Sequence, residues 1–382
     1  MNQTKPDGYR FIEHAEDLNA AARQLAKTDA IAFDLEADSM YHFQEKVCLI
    51  QIATDTVTLV IDPLKLDDLS PLKPVMANPR IRKVLHGADY DIRSLYRDFN
   101  IAVRNLFDTE LASRFLGIRE SGLDAVLQAR FGVRLDKKYQ RKDWSKRPLP
   151  QAMMDYAAGD VHHLLPLAAL LEKELLAKGR LSWVREECDV LRQVRPPEQN
   201  NAPLFLHFKG AGRLSRRSLA VLEALLQLRR RLAEAKDRPL FKVLSNKSLL
   251  TLATIMPATP RALEEAGALS PKQLQIHGKA LLQAIRPARD LPDKKLPVYP
   301  RQRSPRLPAR VPDRVAVLKE WRDHKAEMLD LDPGLMLNKA LMQAIAIRHP
   351  QKISDLSEVP DLHQWRRKAF GRDIVDIMKH VR

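Results

Sequence analysis

Asp34 and Glu36 stand two apart in the run Ile31-Ala-Phe-Asp-Leu-Glu36, the first of three short stretches rich in Ile and Val. The others are Val47–Ala53 and Val57–Ile61, set off by polar turns. Three such runs so close together predict an antiparallel meander. Residues two apart on a strand leave the same face. One metal ion could therefore be gripped by both carboxylates, with Asp34 free to bridge to a second. Alone, the triplet is weak, because a polar strand end reads the same way.

Two further short runs follow, Lys83–His86 and Asn105–Phe107, alternating with helical patterns. A long helical stretch from about Leu149 to Lys178 closes this part of the chain. Sheet first and helices later, with acids on the opening strand, is similar to the mixed α/β sheet of ribonuclease-H-like domains. Tyr156 and Asp160 are i and i+4 in the last helical stretch and so share a face. Asp160 can complete a metal shell while the Tyr156 hydroxyl orients a water. Asp91 falls in the first turn of the helix after His86, with Asp89 as its competitor. One of the two would cap the helix and the other face a site, and position does not choose between them. Acids converging from three elements are what a pair of divalent cations, about 3.5–4 Å apart, needs for in-line attack on a phosphodiester.

Charge divides the chain. The net charge is +16 over 382 residues. Residues 1–200 hold 29 Lys/Arg against 30 Asp/Glu, and the remainder 35 against 18. The first half reads as a metal site and the second as a grip on a polyanion. Two cysteines, Cys48 and Cys188, lie in no metal-ligand spacing and form no disulfide framework. No apolar run approaches a membrane span and the first ten residues carry no apolar signal core, so a cytoplasmic protein without membrane contact is expected.

The stretch Arg195–Pro203 is a compositional break. From Arg286 to Pro312 there are seven prolines and eight Lys/Arg against two Asp, which predicts an extended, semi-rigid linker. The segments flanking it look like one unit repeated. Asn246-Lys-Ser-Leu-Leu250 matches Asn338-Lys-Ala-Leu-Met342, Met256-Pro257 matches His349-Pro350, and Gly278 matches Gly371. Two small all-helical domains are expected. Arg134–Arg147 has seven cations and two acids with Tyr139 and Trp144 interleaved. It reads either as a loop gripping phosphates and stacking a base, or as a solvated loop with Trp144 packed inward.

Order and flanks of these motifs resemble the tyrosine-bearing branch of the DEDD exonuclease superfamily, in its ribonuclease D family. The resemblance runs through Phe33-Asp-Leu-Glu36, Cys48-Leu-Ile-Gln-Ile52, Val84-Leu-His-Gly-Ala-Asp-Tyr-Asp-Ile92, Phe107-Asp-Thr-Glu-Leu-Ala112, Leu135–Pro148 and Tyr156–Leu165. Leu35 departs from the threonine many relatives carry, at a position pointing off the metal face. The two repeats resemble the helicase-and-RNase-D C-terminal (HRDC) domain. The resemblance implies an α/β 3′–5′ exonuclease domain over 1–194, a linker 195–212, an HRDC domain 213–286, the Pro/Arg-rich linker 287–312 and an HRDC-like domain 313–382. It assigns Asp34, Glu36, Asp91 and Asp160 as ligands of two Mg²⁺ or Mn²⁺ ions and Tyr156 as the water-orienting residue, and so favours Asp91 over Asp89. Lys137, Lys138, Tyr139, Arg141, Lys142, Trp144, Arg229, Arg230, Arg366 and Arg367 are the expected nucleic-acid contacts. The implied activity is stepwise release of 5′-mononucleotides from the 3′ ends of tRNA precursors and other small stable RNAs, by a chain acting as a monomer. A proofreading-type DNA exonuclease and a catalytically dead RNA-binding scaffold are the competing readings. His86, His162 and His163 find no second acid–base partner in the sequence and read as structural.

Overall fold

The computed structural model describes residues 8–197, 202–300 and 307–381. The first seven residues and parts of both expected linkers, 198–201 and 301–306, lie outside the described residues. The chain divides into two compact units. One comprises Met1–Ala37, Val47–Pro196 and Ser304–Arg382, the other Asp38–Lys46 and Pro197–Arg303.

The first unit is built on a six-stranded sheet: β1 (Arg10–Ile12), β2 (Ala30–Ala37), β3 (Val47–Ala53), β4 (Thr58–Ile61), β5 (Arg82–Leu85) and β6 (Leu106–Asp108). Their order is β1-β4-β3-β2-β5-β6. The meander expected from the sequence is present, β2 pairing antiparallel with β3 and β3 with β4. β5 and β6 add in parallel beside β2, and β1, which the sequence reading missed, pairs parallel with β4. Among the described residues before Pro197, the α-helices are α1 (Ala15–Leu25), α2 (Lys73–Ala77), α3 (Asp89–Phe99), α4 (Thr109–Phe115), α5 (Leu123–Phe131), α6 (Gln151–His162), α7 (Leu164–Ala177) and α8 (Leu181–Leu191). The single long helix expected over 149–178 is two, because the chain leaves helical geometry at His163 (φ −99°, ψ 0°).

Strand alternation sorts the sheet's faces. Phe33, Leu35, Ile50, Ile52 and Ile61 join the main core. Leu49 and Val60 point the other way, into a smaller cluster with Met153, Ala157 and Ala158 of α6. The two alanines let the α6 backbone approach the sheet closely. That approach carries Tyr156 and Asp160 toward the polar edge of β2.

In the second unit, α9 (Arg216–Ala235), α10 (Leu240–Val243), α11 (Asn246–Ile255), α12 (Pro260–Glu265) and α13 (Pro271–Arg289) form a helical domain. The repeat of this pattern, α14 (Val311–Leu329), α15 (Pro333–Met336), α16 (Lys339–Arg348) and α17 (Gln364–His380), belongs to the first unit. The repeat is in register at the helix ends, where Met256 and His349 enter the left-handed region before a proline, but the match of Asn246 to Asn338 shifts by one: Ser245 caps α11 and Asn338 caps α16. The linkers depart from expectation where they are described. Phe205 and Leu296 are buried in the second unit's core, and Tyr299 packs against that core and donates to the Leu206 carbonyl at 3.2 Å. The apolar residues spaced among the prolines anchor these stretches, a signal that the overall composition conceals.

Candidate active site

Asp34, Glu36 and Asp160 each present a carboxylate oxygen within 4.8 Å of the others. They line a cavity of about 330 Å³ with His86, Asp124, Leu135, Lys137, Gln140 and Tyr156. The two β2 acids arrive by strand alternation and Asp160 by its place on α6, one turn after Tyr156. Asp91 is not one of this tight trio. It lies buried in the first turn of α3, close enough to Asp34 for their charges to interact. Asp89, by contrast, is exposed and pairs with Arg93 at 2.7 Å.

Asp108 sets the α3 turn in place, a role the sequence reading did not assign. Its carboxylate accepts from Gly87 N (3.0 Å), Ala88 N (2.8 Å), Glu110 N (2.8 Å) and Leu111 N (3.1 Å). It thereby caps α4 and ties the turn before α3 to β6. Gly87 holds φ +73°, and a Cβ there would come within 2.8 Å of the Glu110 carboxylate, so the turn requires glycine.

So many acids in a buried space resist ionisation. Burial pushes Asp34 up to about 7, against a smaller opposing pull from the Leu35 N–H. Glu36 is raised by burial and then by Asp34, Asp160 and Asp91. Asp91 is raised by burial, Asp34 and Asp108. Asp160 is raised by burial and Asp34, with the Tyr156 hydroxyl pulling the other way. Clustered carboxylates of this kind are hard oxygen donors that divalent cations take up. The residues present fit such ions, and metal binding relieves the repulsion that their protonation otherwise relieves. Burial and the same acids push the Tyr156 phenol far above its usual range. Its ring stands between Tyr139 (centroids 5.7 Å) and Trp144 (6.1 Å).

His86 lines the cavity itself, while His162 and His163 do not. His86 Nδ1 lies 2.9 Å from Thr109 Oγ1, whose proton goes to the Leu85 carbonyl, so Nδ1 is the donor. Burial lowers its pKa and keeps the ring neutral. His162 and His163 pack edge to face at 4.7 Å.

The 3′-5′ exonuclease family model matches residues 9–176, and the HRDC domain model matches 218–285 and 312–378. A protein named Ribonuclease D from Granulibacter bethesdensis is 32% identical over 95% of this chain and 91% of its own length. The chain belongs to the ribonuclease D family. Another Ribonuclease D, from Escherichia coli K12, is 32% identical over 76% of the chain and 77% of its own length. The crystal structure of Escherichia coli RNase D, described as an exoribonuclease involved in structured RNA processing, superposes with TM-score 0.72 at 27% identity. It covers 97% of this chain and 99% of that one. The catalytic core of RRP6 from Trypanosoma brucei matches at TM-score 0.64 and 31% identity, over 75% of this chain and 81% of that one. The chain is a metal-dependent nuclease of the 3′–5′ exonuclease class.

The expected nucleic-acid contacts of this ribonuclease D family member divide by burial. Lys137, Lys138, Arg141 and Lys142 are exposed, and Lys137 pairs with Asp124 at 2.7 Å at the cavity's rim. Tyr139 is half-buried and Arg230 exposed. Arg367 is half-buried, with its Nε enclosed. Trp144, Arg229 and Arg366 correct the expectation. Trp144 is 1% exposed and packs inward, held by Arg147, whose guanidinium binds the Trp144 carbonyl (2.7 Å), the Cys48 carbonyl (2.8 Å) and Asp62 (2.5 and 2.6 Å). It is a wall for Tyr156, with no face open to a base. Arg229 is 7% exposed and bonds the Leu244 carbonyl and Asn246 Oδ1. Arg366 is equally buried and faces Glu187 and two carbonyls. Trp144→Ala is accordingly expected to destabilise the protein by about 3–5 kcal/mol, the range for emptying a large aromatic site. Denaturant unfolding checks this, and weakened RNA binding at unchanged stability would restore the stacking role.

The sequence reading missed a basic cavity in the second unit. Lys236, Arg238, Lys242 and Lys272 line a space of about 340 Å³ with His277, and none of its described lining residues is acidic. These cations lie singly around the helix junctions, outside the longer arginine runs.

Proposed function

We propose that this protein trims RNA from its 3′ end, releasing 5′-mononucleotides, with Asp34, Glu36, Asp91 and Asp160 holding two Mg²⁺ or Mn²⁺ ions. The observation that carries the reading is the convergence of three carboxylates within 4.8 Å in a cavity that also exposes Tyr156. Bound ions would activate the attacking water and stabilise the leaving 3′-oxygen. The protein's own groups do the rest. The Tyr156 hydroxyl donates to Asp160 one turn along α6, which sets its oxygen at the cavity where it would orient the attacking water. Tyr139 and Trp144 fix its ring. Exposed Lys137, Lys138, Arg141 and Lys142 near the cavity are suited to the phosphates of an incoming strand. Arg230, Arg367 and the Lys236, Arg238, Lys242 and Lys272 cavity would hold upstream phosphates.

tRNA precursors and other small stable RNAs with single-stranded 3′ ends are the substrates that fit this reading, in the cytoplasm and with a single chain sufficient. No described helix is long and apolar enough to cross a membrane. The test uses 5′-labelled single-stranded RNA and its DNA counterpart with Mg²⁺, with Mn²⁺ and with EDTA. A ladder shortening from the RNA 3′ end, absent in EDTA, is the expected result. Equal or faster loss of DNA would favour the proofreading-type reading, and binding without degradation the scaffold.

A further inference from the structure

Gln51 sits opposite Asp34 in the β2–β3 pair. Directly opposed residues of an antiparallel pair share a face, with Cβ atoms about 4.5–5.5 Å apart. Val60 stands across from Gln51 on β4 and Leu49 lies along its own strand, with Glu36 diagonal to it on β2. Gln51 is 0% exposed, and among the described residues neither its Nε2 nor its Oε1 has a hydrogen-bond partner. Buried polar side chains almost always have one. A methionine of similar volume would fill the same space without an amide to satisfy. Asp34 is the charged group that the strand register sets directly opposite Gln51.

We propose that Gln51 is a positioning residue for the metal centre. Its Nε2–H would donate to the Asp34 carboxylate, fixing how Asp34 presents its oxygens to a divalent cation. Ligating carboxylates are commonly held by such outer hydrogen bonds, and losing one typically costs about 10–100-fold in metal affinity or activity. The inference rests on Asp34 being a metal ligand.

The test is Gln51→Met in the full chain, with Asp34→Asn alongside. Three quantities are measured: Mg²⁺ affinity of metal-stripped protein by calorimetry, kcat and KM on 5′-labelled RNA, and the metal-free melting temperature. For Gln51→Met, Mg²⁺ affinity and kcat should fall about 10–100-fold. KM should stay within about twofold, and the melting temperature should hold or rise, since an unpartnered buried amide is gone. Unchanged Mg²⁺ affinity and kcat would overturn the proposal. A lower melting temperature with activity lost in proportion, or failure to fold, would also overturn it, since Gln51 would then be a packing residue. If Asp34→Asn itself binds Mg²⁺ and turns over like the unmodified chain, the ligand assignment falls first. If Asp34→Asn is inactive while Gln51→Met is unaffected, only the positioning role falls.

Discussion

Replacing Asp34 with asparagine is expected to abolish turnover, by about 10³-fold or more, while making the metal-free protein more stable. Both effects come from one cause. Asp34 is raised to about 7 by burial, and it also raises Glu36, Asp91 and Asp160. A carboxylate whose folded pKa lies above its unfolded value of about 3.9 costs stability once the pH exceeds the unfolded value, and the cost grows until the folded value is passed. The metal-free enzyme should therefore lose stability as the pH rises from about 4 toward 7. Asparagine keeps the shape, removes one charge and relieves the other three acids, for a gain on the order of 2 kcal/mol at neutral pH. Divalent metal should stabilise the unmodified chain strongly and the variant weakly. RNA affinity should change little, because most basic surface lies elsewhere. Thermal unfolding between pH 5 and 8 with and without Mg²⁺ reads all of this, together with a turnover assay. A variant that melts lower without metal, or that still degrades RNA, would remove Asp34 from the centre of the site.

The acids of β2 were legible because a strand's alternation fixes which side chains share a face, whatever else surrounds them. The repeats were legible through Met256-Pro257 and His349-Pro350, which end their helices alike, although the cap of the first falls on Ser245 and not on the Asn246 matched to Asn338. What sequence could not carry was burial of charge. Arg229 and Arg230 are adjacent and chemically identical, yet one bonds carbonyls inside the core and the other faces solvent. Trp144 in a run of cations suggested a stacking platform, but the Arg147–Asp62 pair that turns it inward joins residues 85 apart in sequence. Asp108 looked like part of a motif, and only the fold reveals four backbone donors meeting on it. Long-range pairing decides these cases, and periodicity does not report it.

Arg366→Met should lower stability by about 3–5 kcal/mol, the cost of stranding a buried partner charge, and should leave RNA contact unaltered in the folded fraction. Arg366 on α17 meets Glu187 on α8 at 2.6 Å and donates to the Met336 and Leu335 carbonyls at 2.8 and 3.0 Å. Around it Trp365 stacks on Trp183 at 4.7 Å and meets Phe115 edge-on at 5.4 Å, and the Trp365 indole N–H donates to the same Glu187 at 2.7 Å. The last helix is thereby built into the core that carries the nuclease sheet, so the variant should unfold both in one transition. Burial alone would raise Glu187, but Arg366, Trp365 and His363 together outweigh it and hold the carboxyl below its usual range. A depressed acid contributes stability that is present above its unfolded pKa of about 4.3 and is lost as the pH falls through the lower folded value. Glu187→Gln should remove that acid sensitivity. The double variant should cost less than the two single changes added, because neither charge is then left alone. Urea midpoints at neutral and acid pH measure each quantity. Unchanged stability of Arg366→Met with weakened RNA binding would return Arg366 to the nucleic-acid surface, and would separate the last helix from the nuclease core.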